Sequence, residues 1–289
     1  MDFVFITDLH LKASHTYRVN YLQEVLDKLR FAIAYCNKTS ATLLIGGDIF
    51  DKPSVPDIVK NSLFDILSHL NTEAYMVQGN HDMLFNSPDH NLKTSYHTLL
   101  STGLVKSLDD ATIDLGDAVI TNHFPLSNQG KPQLVLYHGL LTQSPQDKWD
   151  FSYNHISQHL TDQVFVLLGH DHTPYPPIEY HTSTIFRPGS FSRTTRDDAS
   201  HRIPVLLHIR LINGILKYKE VPIQTALDYD KVFIDKMDKV SEKSINESYQ
   251  EIIDQLKSCG NKDLSFKEAL NQVTTPEVVD YINKLLTNY

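Results

Sequence analysis

Apolar positions follow two rhythms along the first part of this chain. Phe3-Val4-Phe5-Ile6, Thr42-Leu43-Leu44-Ile45 and Ala74-Tyr75-Met76-Val77 are short, nearly unbroken apolar runs, each closed by polar residues or glycine. Runs of that length between turn residues predict strands buried on both faces. Between the first two, Val19, Leu22, Val25, Leu26, Leu29 and Ile33 recur at helical spacing and predict a helix from about Tyr17 to Cys36. A second helix is expected up to about Leu70, with Ser54 as its cap and Pro56 just inside it. Strand, helix, strand, helix, strand predicts βαβ units and a largely parallel arrangement.

The rhythm changes in the middle of the chain. Leu104–Leu108, Ala111–Leu115, Ala118–Thr121 and Leu134–Tyr137 are short strand candidates separated by turn residues, and Val164–Leu168 is another continuous apolar run. Pro204 to Val221 reads as a hairpin with Asn213-Gly214 at its turn. Beyond Pro222 the composition turns polar and helix-favouring, over Ser241–Lys257, Phe266–Val273 and Pro276–Leu286. The expected organisation is a domain over residues 1–222 and a helical C-terminal segment over 223–289, with no internal repeat.

Composition narrows the chemistry. The 289 residues carry a formal net charge of −9 and 41% hydrophobic residues, enough for a sizeable core. Net acidity speaks against a protein that holds nucleic acid mainly by a basic surface. Fifteen histidines beside an excess of acid raise the question of metal ions, for which these side chains are the usual ligands. The only cysteines, Cys36 and Cys259, make neither a disulfide framework nor a zinc cluster. The opening MDFVFITDLH lacks the basic leader of a signal peptide, and no apolar run reaches the roughly 18 residues of a membrane span, so a cytoplasmic protein is expected.

The chemically useful residues stand just after the apolar runs, where open α/β sheets place their ligand sites. In chain order these read Asp8-Leu9-His10, Gly47-Asp48-Ile49-Phe50-Asp51, Gly79-Asn80-His81-Asp82, His138-Gly139 and Gly169-His170-Asp171-His172. Carboxylate and imidazole suit Mn, Fe or Zn, and one carboxylate can bridge two ions roughly 3.5–4 Å apart. Such a pair activates a water as nucleophile and clamps the oxygens of a phosphoryl group. In isolation, an Asp beside Gly more often caps a helix or a turn; the recurrence of such blocks at successive strand ends favours the metal reading.

The set resembles the calcineurin-like metallophosphoesterase family, whose pattern is D-x-H, G-D, G-N-H-D/E, H and G-H-x-H, present here in order across residues 8–172. The resemblance implies an α/β four-layer αββα sandwich with two mixed β-sheets. It also implies two divalent metal ions, most often Mn, with Fe, Mg or Zn as alternatives. Carried onto this sequence, Asp8, His10 and His172 would hold the first metal; Asn80, His138 and His170 the second; and Asp48 would bridge both. His81 would not be a ligand but would act over the phosphate, stabilising the transition state or protonating the leaving oxygen, with Asp82 as an orienting neighbour. His123, in Thr121-Asn122-His123-Phe124-Pro125, competes with His138 for the fourth block.

Gly47-Asp48-Ile49-Phe50-Asp51 is followed by Lys52-Pro53 rather than the Arg-Gly of many phosphoprotein phosphatases, and Pro188-Gly189-Ser190 follows the GHxH block. GDxFD with a downstream PGS is similar to the nuclease-subunit branch of the bacterial SbcCD complex. The short length and Arg193-Thr194 after PGS look like the phage version. That likeness implies a Mn-dependent DNA exonuclease/endonuclease subunit in repair or recombination, a homodimer, and an SbcC-type coiled-coil ATPase partner contacted by the C-terminal helices. A metallophosphatase or small phosphodiesterase acting on nucleotides is the competing expectation, and a non-catalytic scaffold a third. Arg187, Arg193, Arg196 and Arg202 read either as a phosphate-binding rim or as an ordinary solvated loop, since Asp197-Asp198 lies among them.

Overall fold

The computed structural model describes residues 1–233 apart from 19, 87–91, 124–129, 143–149, 153–155, 159, 161–162 and 197–200. Met1–Phe233 forms one compact unit and Ile234–Tyr289 a second, so the three C-terminal helix expectations lie outside the described residues. The first unit continues past Pro222: Ile223, Val232 and Phe233 are buried within it.

Two six-stranded mixed sheets form its centre. The first contains β1 (Asp2–Ile6), β2 (Thr42–Ile45), β3 (Ala74–Met76) and β4 (Lys106–Ser107), all parallel, and is completed by the hairpin of β13 (Val205–Ile212) and β14 (Ile215–Pro222) beside β1. The second orders β11 (Tyr175–Tyr180), β12 (Ser183–Arg187), β10 (Val164–Gly169), β7 (Gln133–His138), β6 (Val119–Thr121) and β5 (Thr112–Asp114), with β12, β10, β7 and β6 parallel. A small parallel pair, β8 (Leu140–Thr142) and β9 (Asp150–Ser152), stands apart. The hairpin turn is made by Asn213 and Gly214, both at positive φ as a two-residue turn with primed geometry requires.

Alternation along the strands separates the layers. Phe3, Phe5, Leu44 and Tyr75 face Leu134, Leu136, Phe165 and Leu167 across the space between the sheets. Val4, Ile6, Leu43 and Ile45 point the other way, against α1 (Tyr21–Thr39), α2 (Asp57–Ser68) and α3 (Ser95–Ser101). Val135, Val164, Val166 and Leu168 make the outer face of the second sheet and pack on Ile156 and Leu160 around a helical turn at 156–158. Both sheets are therefore apolar on two faces, which is why their strands read as continuous runs rather than as alternation. The α/β fold with two mixed sheets is the one the sequence resemblance implied.

Differences are local. The first helix begins at Tyr21, not near Tyr17, because Asn20 is left-handed (φ 45°) and Arg18 leaves the helical path to turn its guanidinium inward; Val19 lies outside the described residues. The second helix takes Pro56 itself as N-cap, while Ser54 stays outside. Unanticipated strands β11 and β12 follow the GHxH block. β11 carries Pro176 and Pro177, tolerated because it is a sheet edge. Replacing Leu167, fully buried between the sheets, by Ala should lower unfolding free energy by about 2–5 kcal/mol in urea denaturation.

Candidate metal centre

The parallel pairs β1–β2 and β7–β10 end side by side, and their loops continue the pairing. Asp8 N donates to Gly47 O (3.2 Å), His10 N to Asp48 O (2.9 Å) and Gly139 N to Gly169 O (3.2 Å). Four of the candidate ligands leave ordinary backbone geometry to do so: Asp8 (φ 56°), His10 (45°), Asp48 (49°) and His170 (88°) all have positive φ. Asp and His are among the non-glycine residues that adopt this region most readily, and here it takes the chain out of the strand line at each ligand.

The side chains converge in two groups sharing one carboxylate. In the first, His10 Nε2 lies 2.8 Å from His172 Nε2 and 3.9 Å from Asp8 Oδ1, which is 3.7 Å from His172 Nε2. In the second, Asn80 Oδ1 sits 3.0 Å from His138 Nε2 and 2.9 Å from His170 Nδ1. Asp48 Oδ2 stands between them, 3.7 Å from His10 Nε2 and 3.2 Å from His138 Nε2. A cation with ligand bonds of about 2.0–2.2 Å sets its ligands roughly 3–3.5 Å apart, and the separations here, from 2.8 to 3.9 Å, fall on either side of that spacing. The lone-pair donors, two buried carboxylates, an amide oxygen and four imidazoles, fit two divalent ions. His123 stands outside these groups; its backbone N–H binds Thr121 Oγ1 and its ring joins none of the candidate sets.

His81 is the exposed ring of the centre, and it also comes within ligand range of His10 and Asp48. Its backbone N–H donates to Asp48 Oδ1 (2.8 Å), and its Nδ1 donates to the Asp51 carbonyl (2.8 Å), leaving Nε2 for a substrate. Asp82 plays a different part from the expected one. It is buried and accepts N–H bonds from Ile49, Phe50 and Gly79 (3.0–3.3 Å), clamping the Asp48 loop to the Asn80 loop, while the Asp51 carbonyl orients His81.

A second support was not visible in the sequence. Ser190 Oγ and Ser192 N donate to Asp8 O, Phe191 N to Thr7 O, and the Thr194 hydroxyl lies 3.3 Å from His172 Nδ1. Behind this strap, Arg18 and Lys28 donate to the carbonyls of Ser192, Arg193 and Phe191, and Glu24 pairs with Arg18, Lys28 and Arg193 at 2.6–3.0 Å, all buried. Of the four arginines weighed as a phosphate rim or a solvated loop, Arg193 is thus internal, Arg187 pairs with Asp171 (3.1 Å), and Arg202 binds Ser190 O. Ser190 and Ser192, on either side of Phe191 after Gly189, were the only signal of the strap. Nothing in the spacing pointed to Arg18, Glu24 and Lys28. His15 stacks on Tyr21, and burial holds it down to about 4; His90 lies outside the described residues.

Electrostatics follow burial and pairing. Burial works against His138 charging, but the Asp48 carboxylate outweighs it and lifts the ring to about 9. Asp48 is held well below the carboxylate range by His138, against its own desolvation. Burial depresses His10 and His170, and burial with the Asp48 charge raises Asp82 to about 7.

This geometry defines a metal-dependent phosphoester hydrolase. The calcineurin-like phosphoesterase profile matches residues 1–194, and the chain belongs to that family. Among solved structures it is similar to TT1561 of Thermus thermophilus, with 12% identity and TM-score 0.46 over 76% of this chain and 98% of that one. The 5'-nucleotidase precursor of the same organism is 15% identical, with TM-score 0.45, over 88% of this chain and 60% of that one. No curated protein matches. Among the described residues no helix is long and apolar enough to cross a membrane.

A Cβ on Gly79 would stand 2.1 Å from Asp48 Oδ1 and 2.2 Å from Asp48 N, so Gly79→Ala should displace the shared carboxylate and abolish cation uptake measured by calorimetry. His138 has a folded pKa raised above its unfolded value, so its pairing stabilises the ion-free protein fully below about pH 6.5 and is lost as pH rises toward about 9. Raised Asp82 acts in the same direction from about pH 4 to 7. A cation in the second group competes with the proton on His138. Melting temperature of the ion-free protein should therefore fall from pH 6.5 to 9, while the increment added by Mn²⁺ grows over the same range.

Proposed function

We infer that the protein is a Mn-dependent nuclease subunit that hydrolyses phosphodiester bonds of DNA, working as a homodimer with an SbcC-type coiled-coil ATPase. The observation that carries the hydrolytic part is the convergence of Asp8, His10, His172 and Asn80, His138, His170 on either side of Asp48, with His81 on the open side. Bound there, two divalent cations would offset phosphoryl charge and supply a nucleophile at neutral pH. The chain's own residues orient and protonate. His81, with Nδ1–H held by the Asp51 carbonyl, presents Nε2 to the leaving sugar oxygen and delivers its proton as the P–O bond breaks. Asp48 fixes the spacing of the two groups and, through its bond to the His81 amide, the position of that acid.

Support for DNA as substrate comes from GDxFD at 47–51 without a following Arg-Gly, and from PGS at 188–190. With Arg187, Arg193 and Arg202 committed internally, grip on the backbone falls to the metal centre and to a partner, in keeping with a chain of net charge −9. The partner contact is assigned to the C-terminal part of the expected 223–289 segment that lies beyond Phe233, since Ile223, Val232 and Phe233 are buried in the first unit.

With Mn²⁺ the purified protein should degrade linear DNA or nick single strands, and His81→Ala should slow this by about 10²-fold or more while calorimetry still shows cation binding. Normal cutting by that variant would remove His81 from its role. Hydrolysis of nucleotides and p-nitrophenyl esters with none of DNA would instead establish the nucleotide phosphoesterase.

A further inference from the structure

A histidine that coordinates through one ring nitrogen carries its proton on the other, and that N–H requires an acceptor when buried. Around the centre this outer partner is supplied ring by ring. His138 Nδ1 has the Gly46 carbonyl at 2.8 Å and His172 Nδ1 the Thr194 hydroxyl at 3.3 Å. His170, half-buried, faces Asn80 through Nδ1, so its outer nitrogen is Nε2. His10 differs. Its Nε2 faces the first group, its side chain is 2% exposed, and its Nδ1 is buried without a hydrogen-bond partner.

A carboxylate oxygen, Asp51 Oδ1, lies 3.8 Å from that nitrogen. This carboxylate is held in place: Lys12 Nζ binds the same oxygen at 2.7 Å and itself lies 5.3 Å over the Tyr21 ring, whose hydroxyl donates to His10 O. The Asp51 backbone is fixed as well, since its N–H donates to Leu11 O and its carbonyl receives the His81 Nδ1 proton. One residue thus lies against both the inner histidine and the exposed one, whose rings stand edge-to-face at 4.8 Å.

We propose that Asp51 is the outer partner of His10, a positioning residue that closes the 3.8 Å gap and takes the His10 Nδ1–H bond when a cation occupies the first group. Coordination at Nε2 draws electron density from the ring and makes Nδ1–H a stronger donor, so the bond forms with the ion rather than before it. Lys12, 2.7 Å from Oδ1, keeps the carboxylate aimed. Because the same residue anchors His81 through its carbonyl, the rotation of His10 and the aim of His81 share one anchor. The GDxFD motif gains a physical reason for its second aspartate, here Asp51: Asp48 lies between the two groups, and Asp51 completes one of them.

The proposal rests on the two-cation reading, and its test separates the two. Mn²⁺ and Zn²⁺ binding to the full chain is measured by calorimetry and by competition with a chromophoric chelator, for wild type, Asp51→Ala and Asp51→Asn. Wild type should bind two ions. Asp51→Ala should bind one of them about ten- to a hundredfold more weakly with the other unchanged, and Asp51→Asn, which keeps an acceptor oxygen, should fall between. In the Zn²⁺-loaded protein the His10 Nδ1 proton, followed by ¹H–¹⁵N NMR, should resonate downfield and move upfield in Asp51→Asn, a signal that a purely structural role would leave in place. If wild type binds neither ion, the two-cation reading falls and takes the proposal with it. If wild type binds two and both variants match it, or the His10 signal is the same in wild type and Asp51→Asn, the proposal alone is overturned. Should Asp51→Ala fail to fold by circular dichroism, Asp51→Asn and the His10 signal decide the matter.

Discussion

A carboxylate buried at 1% exposure must be matched by positive charge, and the protein is arranged around meeting that demand at Asp48. In the ion-free chain the match is a protonated His138, with the backbone N–H of His81 on the other oxygen. Divalent cations held by these residues would supply that positive charge in place of the proton. The two sheets make this possible because β2 delivers Asp48 from one and β7 delivers His138 from the other, with Gly46 O and Gly169 packed between. The centre is thus a product of the sheet-to-sheet interface rather than of either sheet alone. The apolar packing of Phe5, Leu44, Leu136 and Leu167 sets its dimensions.

The same logic appears one layer back. Arg18, Lys28 and Arg193 surround a single carboxylate, Glu24, and the excess of cations is met by the carbonyls of Phe191, Ser192, Arg193 and Leu227. Buried networks of this kind add little net stability over apolar packing, but removal of one member leaves an uncompensated charge. Burial already lowers Lys28 to about 7. The network's product is geometric: it fixes the carbonyls of residues 191–193, and through them the amides and hydroxyls that hold Asp8 and His172.

Much of the fold could be read from the chain because buried parallel strands write themselves as apolar runs. Phe3–Ile6, Thr42–Ile45 and Val164–Leu168 fall within a residue or so of β1, β2 and β10. The motif residues after them are brought together because parallel strands end on the same side. What escaped had no periodic signature. β11 is disguised by Pro176-Pro177. α1 starts late because Arg18 serves the interior instead of the helix. Asp82 looked like a partner for the neighbouring His81, yet its three hydrogen bonds go to backbone amides of its own and a distant loop, a choice that adjacency in sequence conceals. The Arg residues near 193 resembled a surface patch because local charge says nothing of an acid on a helix 169 residues earlier.

The left-handed backbone at Asp8, His10, Asp48 and His170 has a consequence for how this protein can change. At each of these positions glycine is the residue the backbone itself would select, and the side chain present is held against that preference at about 1 kcal/mol or more apiece. Local stability and function therefore pull in opposite directions at the same four codons. Glycine at any one of the four would ease the backbone and remove a donor in the same step, so at these positions backbone ease and the donor set are alternatives.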